Sequence, residues 1–200
     1  MRYHKLEDRL DPHGGALYTK DGVIAFGRDA EETRKYLNEA EYFKNRLRGY
    51  LATEGQLLLQ YFTNRGEKLS EIAGVGSLEL EDRVIAAVIK GINPVSGKES
   101  VIIVSNGSKG GFKLRAQRFA DKYGLPIDWA EEYILAHEVV RHAMGVDDEA
   151  RVEQDLKEAY SYLAEMFEGH IKYKYSELAR VAAIREKEAK ATLETLLKAA

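Results

Sequence analysis

The spacing of apolar and polar positions changes period several times along the chain, and each change predicts an element. Residues 16–19 and 23–26 are short apolar runs flanking Lys20-Asp21-Gly22, and an Asp-Gly turn between such runs predicts a β-hairpin. From Asp29 the period lengthens to that of a helix. Leu37, Ala40, Phe43, Leu47, Tyr50, Leu51, Leu57, Leu58 and Tyr61 form one stripe, interrupted softly near Gly49 and Gly55. Asp29 with Glu32 three residues on is a capping-box variant, so one long helix or two nearly collinear ones should run to about Asn64-Arg65-Gly66. Gly74-Val75-Gly76 invites comparison with a helix-hairpin-helix turn, but Ser77-Leu78 stands where a basic residue is expected. Residues 69–78 therefore read as a loop before the next strand.

Three strands are then predicted, over 83–89, 101–104 and 112–116, the first two flanking the turn cluster Asn93-Pro94-Val95-Ser96-Gly97. In the third, Leu114 and Ala116 alternate with Lys113 and Arg115, so one face would pack while the other presents positive charge. A short helix over 118–123 is stopped by Gly124. Asp128 with Glu131 then caps a helix bearing Tyr133, Ile134, His137, Val140 and Met144 on one side and ending at Gly145. Acids at 147–149 open the next helix, whose stripe is Val152, Leu156, Ala159, Tyr160, Leu163 and Phe167. Residues 171–200 give a last, alanine-rich helix with a narrow stripe at Leu178, Ala182, Arg185, Ala189, Leu193, Leu196 and Leu197. The expected fold is α+β: a small mixed or antiparallel sheet flanked by helices, with a long N-terminal helix and a C-terminal helical extension. The segments divide as 1–66, 67–168 and 169–200.

Charge sharpens this picture in one place. The whole chain carries -3, which argues against non-specific coating of nucleic acid. Yet residues 106–122 hold Lys109, Lys113, Arg115, Arg118 and Lys122 against Asp121 alone, five positive less one negative, or +4. Lys109, Gly110, Gly111, Lys113, Arg115 and Arg118 are therefore the candidate phosphate contacts. The loop Asn106-Gly107-Ser108-Lys109-Gly110-Gly111 lacks the order of a nucleotide-binding P-loop and is expected to lead into a strand, so no nucleotide hydrolysis is predicted. The absence of cysteine excludes disulfides and thiolate metal sites. No apolar stretch approaches the ~20 residues of a membrane span, and Met-Arg-Tyr-His-Lys-Leu-Glu-Asp has no secretory apolar core, so a cytoplasmic location is expected. Abundant Glu and Lys with few prolines suit a thermophile.

His137-Glu138-Val139-Val140-Arg141-His142 invites comparison with the zinc-protease helix His-Glu-x-x-His. Histidines four apart lie about 40° apart on an α-helix and can share a metal, whereas five apart they lie about 140° apart and point to different sides. A metal-dependent hydrolase using His137, Glu138 and His142 would need a bulge or break in the helix and a third ligand, which spacing does not supply. His4 and His13 read as exposed loop residues.

The ordered set Val-Ile-Ile-Val-Ser (101–105), a Gly-Gly turn, Phe112-Lys113-Leu114-Arg115, Leu125-Pro126-Ile127-Asp128 and His142-Ala143-Met144-Gly145 before an acidic helix resembles the DHH-associated domain. That domain is the substrate-binding half of RecJ-like phosphoesterases, and the resemblance covers roughly 83–165. It implies that Arg115 and His142 contact single-stranded nucleic acid. Val139, Val140 and Arg141 stand where the family has glycines, and the Asp-His-His catalytic half has no counterpart in the chain. The resemblance thus implies a non-catalytic module, without cofactor, that binds single-stranded DNA or RNA or a replication or repair partner. The alternative is an interaction or oligomerisation subunit assembled through the 171–200 helix.

Overall fold

The structure, a computed structural model, describes residues 16–18, 23–26, 29–82, 84–92 and 97–199. His4, His13, the turn at 19–22 and residues 93–96 lie outside them. Five strands make one mixed sheet in the order β1-β2-β3-β5-β4. β1 (Ala16–Tyr18) and β2 (Val23–Phe26) pair antiparallel, as the Asp-Gly signal predicts. β2, β3 (Glu71–Leu78) and β5 (Glu99–Asn106) run parallel, and β4 (Ala86–Ile92) returns antiparallel along β5 at the edge.

A parallel pair needs a long crossover, and between β2 and β3 it is helical: α1 (Ala30–Ala52), then α2 (Glu54–Thr63). The predicted cap is present, with Asp29 Oδ1 accepting from the Glu32 amide at 2.9 Å. The soft break falls at Thr53, whose hydroxyl donates back to the Gly49 carbonyl. α1 lies on β2 and β3 and buries Phe43 and Leu47 in the main core.

Two expectations for the sheet are corrected. Residues 71–78 are neither a loop nor a hairpin of helices but a central strand, hydrogen-bonded on both sides. Residues 112–116 are not a strand: they open α3 (Gly111–Tyr123), whose buried face is Phe112, Arg115, Ala116, Phe119, Ala120 and Tyr123. Positions 112, 116, 119 and 123 repeat with the helical period, and only the first five residues imitate alternation. The faces expected at Leu114 and Arg115 are accordingly exchanged, with Leu114 42% exposed and Arg115 4% exposed.

α3 begins on a backbone that only glycine adopts readily. Gly111 has φ 71° and ψ −171°, and a Cβ there would lie 2.2 Å from the Glu39 carboxylate, which accepts from the Phe112 amide and caps the helix. Gly111→Ala should therefore cost at least about 1–3 kcal/mol of backbone strain, to which loss of the cap adds; urea unfolding measures it.

The rest is helical. α4 (Ile127–Leu135) starts behind Pro126, and the Asp128–Glu131 capping box is not formed. Glu131 is instead buried, accepting from the Tyr42 hydroxyl at 2.9 Å and pairing with Arg46. A π-helical segment, Ala136–His142, continues α4. α5 (Glu149–Met166) opens on Asp148, whose carboxylate accepts from the Arg151 amide at 2.7 Å, and α6 (Gly169–Ala199) packs back along it. Val152, Leu156, Ala159, Tyr160 and Leu163 share the core with Leu178 and Ala182, as their stripes predict, and with Val181. Past Arg185 the α6 stripe emerges into solvent, with Leu193, Leu196 and Leu197 exposed. Residues of all three sequence segments contribute to one core. Among the described residues no helix is long and apolar enough to cross a membrane.

Candidate metal centre

The argument that separated His137 from His142 assumes an α-helix, and the helix is not α there. Across Ala136–His142 the chain is π-helical, with the Ala143 amide donating to the Glu138 carbonyl five residues back at 3.0 Å. A hydrogen bond spanning five residues puts i and i+5 where an α-helix puts i and i+4. The extra residue is thus absorbed, and the two imidazoles face each other. Arg141, 1% exposed, pins the turn: its guanidinium bonds Glu67 at 2.6 Å, pairs with Asp155 and lies 4.0 Å over the Phe62 ring.

Three ligand-type atoms converge. His137 Nε2 and His142 Nε2 are 3.0 Å apart, and the Glu149 carboxylate reaches them with Oε2 at 3.2 Å from His137 and Oε1 at 3.4 Å from His142. Metal–ligand distances of about 2.0–2.2 Å in a tetrahedral zinc site set the ligands roughly 3.3–3.5 Å from one another. The observed triangle is close to that size. The third ligand-type group that spacing did not supply is Glu149, delivered by the first turn of α5; its acidity had an adequate explanation in the helix dipole. Both histidine side chains are largely buried, while the Glu149 side chain is 59% exposed, which leaves one side open to solvent.

Of the two far nitrogens, that of His142 is hydrogen-bonded as metal-bound histidines require, while that of His137 makes no aligned hydrogen bond. His142 Nδ1 lies 2.6 Å from the Val146 carbonyl, and His137 Nδ1 makes an ion-pair contact of 3.1 Å with Glu153 Oε1. Both Nε2 atoms face the Glu149 carboxylate, and two ring nitrogens gathered with a carboxylate at one point favour a cation among them. A proton can serve. Burial would lower His137, but the Glu149 and Glu153 carboxylates against it outweigh that and raise it to about 10. The contacts from His137 and His142 hold the Glu149 carboxyl far below the usual range. Glu138, next in the chain to His137, is buried in this field, and burial raises its carboxyl to about 7.

Glu153, 1% exposed, is fixed in turn by Arg185 from α6 and by the Tyr133 hydroxyl from α4. It is a positioning residue, since it orients His137 without being one of the three converging groups. Glu153→Gln should lower zinc affinity about 10–100-fold, the range for an outer-shell carboxylate. Competition with a chromogenic chelator measures this, with circular dichroism as the check on folding.

The structure distributes the sequence-derived nucleic-acid residues differently. Lys109, in the left-handed region at φ 48°, pairs with Asp82. Gly110 and Gly111 edge a cleft shared with Lys35, Asn38, Glu39 and Gly107. Lys113 and Arg118 are exposed on α3. Arg115 turns inward, donating to the Asp82 carbonyl at 2.6 Å and the Ser108 hydroxyl at 2.8 Å, so it braces the loop rather than facing a phosphate. His142 is not brought to this group. The basic loop follows the C-terminal end of β5. The histidine segment lies toward the other end, where Lys90, opposite Val101 in register, pairs with Asp147. Eight residues of strand separate those ends by roughly 25 Å. Comparison with protein-family models, with curated proteins and with solved structures finds no match to this chain.

Proposed function

We propose that the chain is a metal-dependent hydrolase whose centre is His137, His142 and Glu149. The observation that carries this reading is the convergence of two Nε2 atoms and one carboxylate within 3.4 Å, with the far nitrogen of His142 bonded to Val146 and that of His137 3.1 Å from Glu153. Two histidines and a glutamate are a catalytic zinc set that leaves a fourth position for water or substrate, and Glu149 stands on the open side. A zinc ion held by these three groups would supply Lewis acidity toward a carbonyl and lower the pKa of a bound water. The chain supplies the rest. Glu153 and Val146 hold the imidazoles, and Glu138, next to His137 in sequence and buried within the electrostatic reach of both histidines and Glu149, would take the proton that water loses and return it to the leaving group. The balance is that of amide or ester hydrolysis: the water oxygen bonds the carbonyl carbon, the bond to nitrogen or oxygen breaks, and the leaving atom gains the proton.

Elemental analysis of gently purified protein, and zinc titration of the chelated protein, should give one tightly held ion per chain. The zinc-loaded protein should hydrolyse an activated ester such as p-nitrophenyl acetate, and Glu138→Gln should remove the activity but keep the ion. Fewer than one bound zinc in the titration would refute the centre.

A second reading stands on the exposed α3 cations. Lys113 and Arg118 are exposed on α3, the helix that follows the Lys109 loop, which suits a single-stranded nucleic acid held by its phosphates. Anisotropy of labelled DNA and RNA against Lys113→Ala/Arg118→Ala tests it; binding indifferent to salt and to the double substitution excludes it.

A further inference from the structure

Deepening the hydrolase reading, and resting on it, we infer that the substrate is an extended polypeptide that adds as a strand to the free edge of β4 and so reaches the His137–His142–Glu149 centre. β4 is the last strand of the sheet, paired to β5 alone among the described residues. The Asn106 amide donates to the Ile85 carbonyl, so residues 85 and 106 are a hydrogen-bonded pair. Alternation in an antiparallel ladder then turns the N–H and C=O of Ala86, Val88 and Lys90 away from β5. These groups form a row that another strand can complete, and such an edge captures extended peptides through their main chain.

The edge leads to the metal centre. β4 packs against the π-helical segment, and Lys90 pairs with Asp147, two residues before the ligand Glu149. Val88 and Lys90 share the sheet face of Ile103 and Val101, both in the core beneath the helices. Alternate side chains of an added strand would therefore point to the same side as the histidines. The exposed flank of the centre is the Glu149 side, adjoining the Lys90–Asp147 contact. A small ester needs none of this edge, whereas a polypeptide does.

The experiment uses the zinc-loaded full chain with two probes: fluorescein-labelled β-casein, an unfolded polypeptide, and p-nitrophenyl acetate. Val88→Pro removes an outward donor without breaking a ladder bond, as edge strands tolerate. The expected result is a tenfold or greater loss of casein cleavage, about the effect of one or two hydrogen bonds, with zinc content and ester turnover unchanged. A second measurement needs no change to the edge: casein added to zinc-loaded Glu138→Gln should slow hydrogen exchange at the Val88 and Lys90 amides. Ester turnover without casein cleavage, casein cleavage indifferent to Val88→Pro, or unaltered exchange at both amides would each overturn the edge while leaving the hydrolase intact. Failure to bind zinc would remove both.

Discussion

His142→Ala will lower zinc affinity by more than the ~100-fold lost with an outer-shell partner, because it removes one of the converging atoms. Hydrolysis will fall with it. The fold should survive, since the imidazole bonds only the Val146 carbonyl, His137 and Glu149 and takes no part in the apolar core. Chelator competition gives the affinity and near-ultraviolet circular dichroism the packing. Unchanged zinc affinity would mean that any ion binds elsewhere and that the triangle is only a hydrogen-bonded cluster.

Arg141→Ala will act on stability first. Its guanidinium is 1% exposed, spans Glu67 and Asp155, and covers Phe62. Truncation leaves Asp155, a carboxylate only 11% exposed, with Arg151 as its remaining cation. Removing one partner of a buried ion pair costs about 3–5 kcal/mol, so denaturant unfolding should show a loss in that range. Zinc affinity should weaken as well, because the side chain holds the turn that aligns the histidines. Arg141→Met, which keeps length and packing over Phe62 but not charge, separates the two contributions. A loss below 1 kcal/mol for the alanine variant would show that the turn stands without the pair.

The parts legible in the sequence were those set by local chemistry. Asp29 with Glu32, the Asp-Gly hairpin and the stripe from Val152 to Leu163 each carry their cause within a few residues, and each appears as read. Lys113 and Arg115 misled because alternation over five residues fits two periods; extended to Phe119 and Tyr123 the same positions are helical. β3 was passed over because Gly74 and Gly76 suggest a turn, whereas its strand character comes from β2 and β5 on either side, which are distant in sequence. At Asp128 the cap signal was real but lost to Pro126, which starts the helix earlier. At the centre, His137, Glu138 and His142 were visible as types, while their meeting depends on backbone that residue spacing does not encode. Glu149 and Glu153 stand four apart on α5, and that signal could have found them had the next helix been searched for ligands.

A spacing rule for metal ligands is at root a statement about angular phase. In the π-helical turn one residue is taken up locally, and the helix on either side continues facing as it did. Insertion of a single residue is commonly counted as a frame error in such a motif, one that dismisses the match. Here it leaves both histidines addressed to the same point, so His-Glu followed by three residues and His sets its imidazoles together as His-Glu followed by two does on an α-helix, spelled with one silent letter.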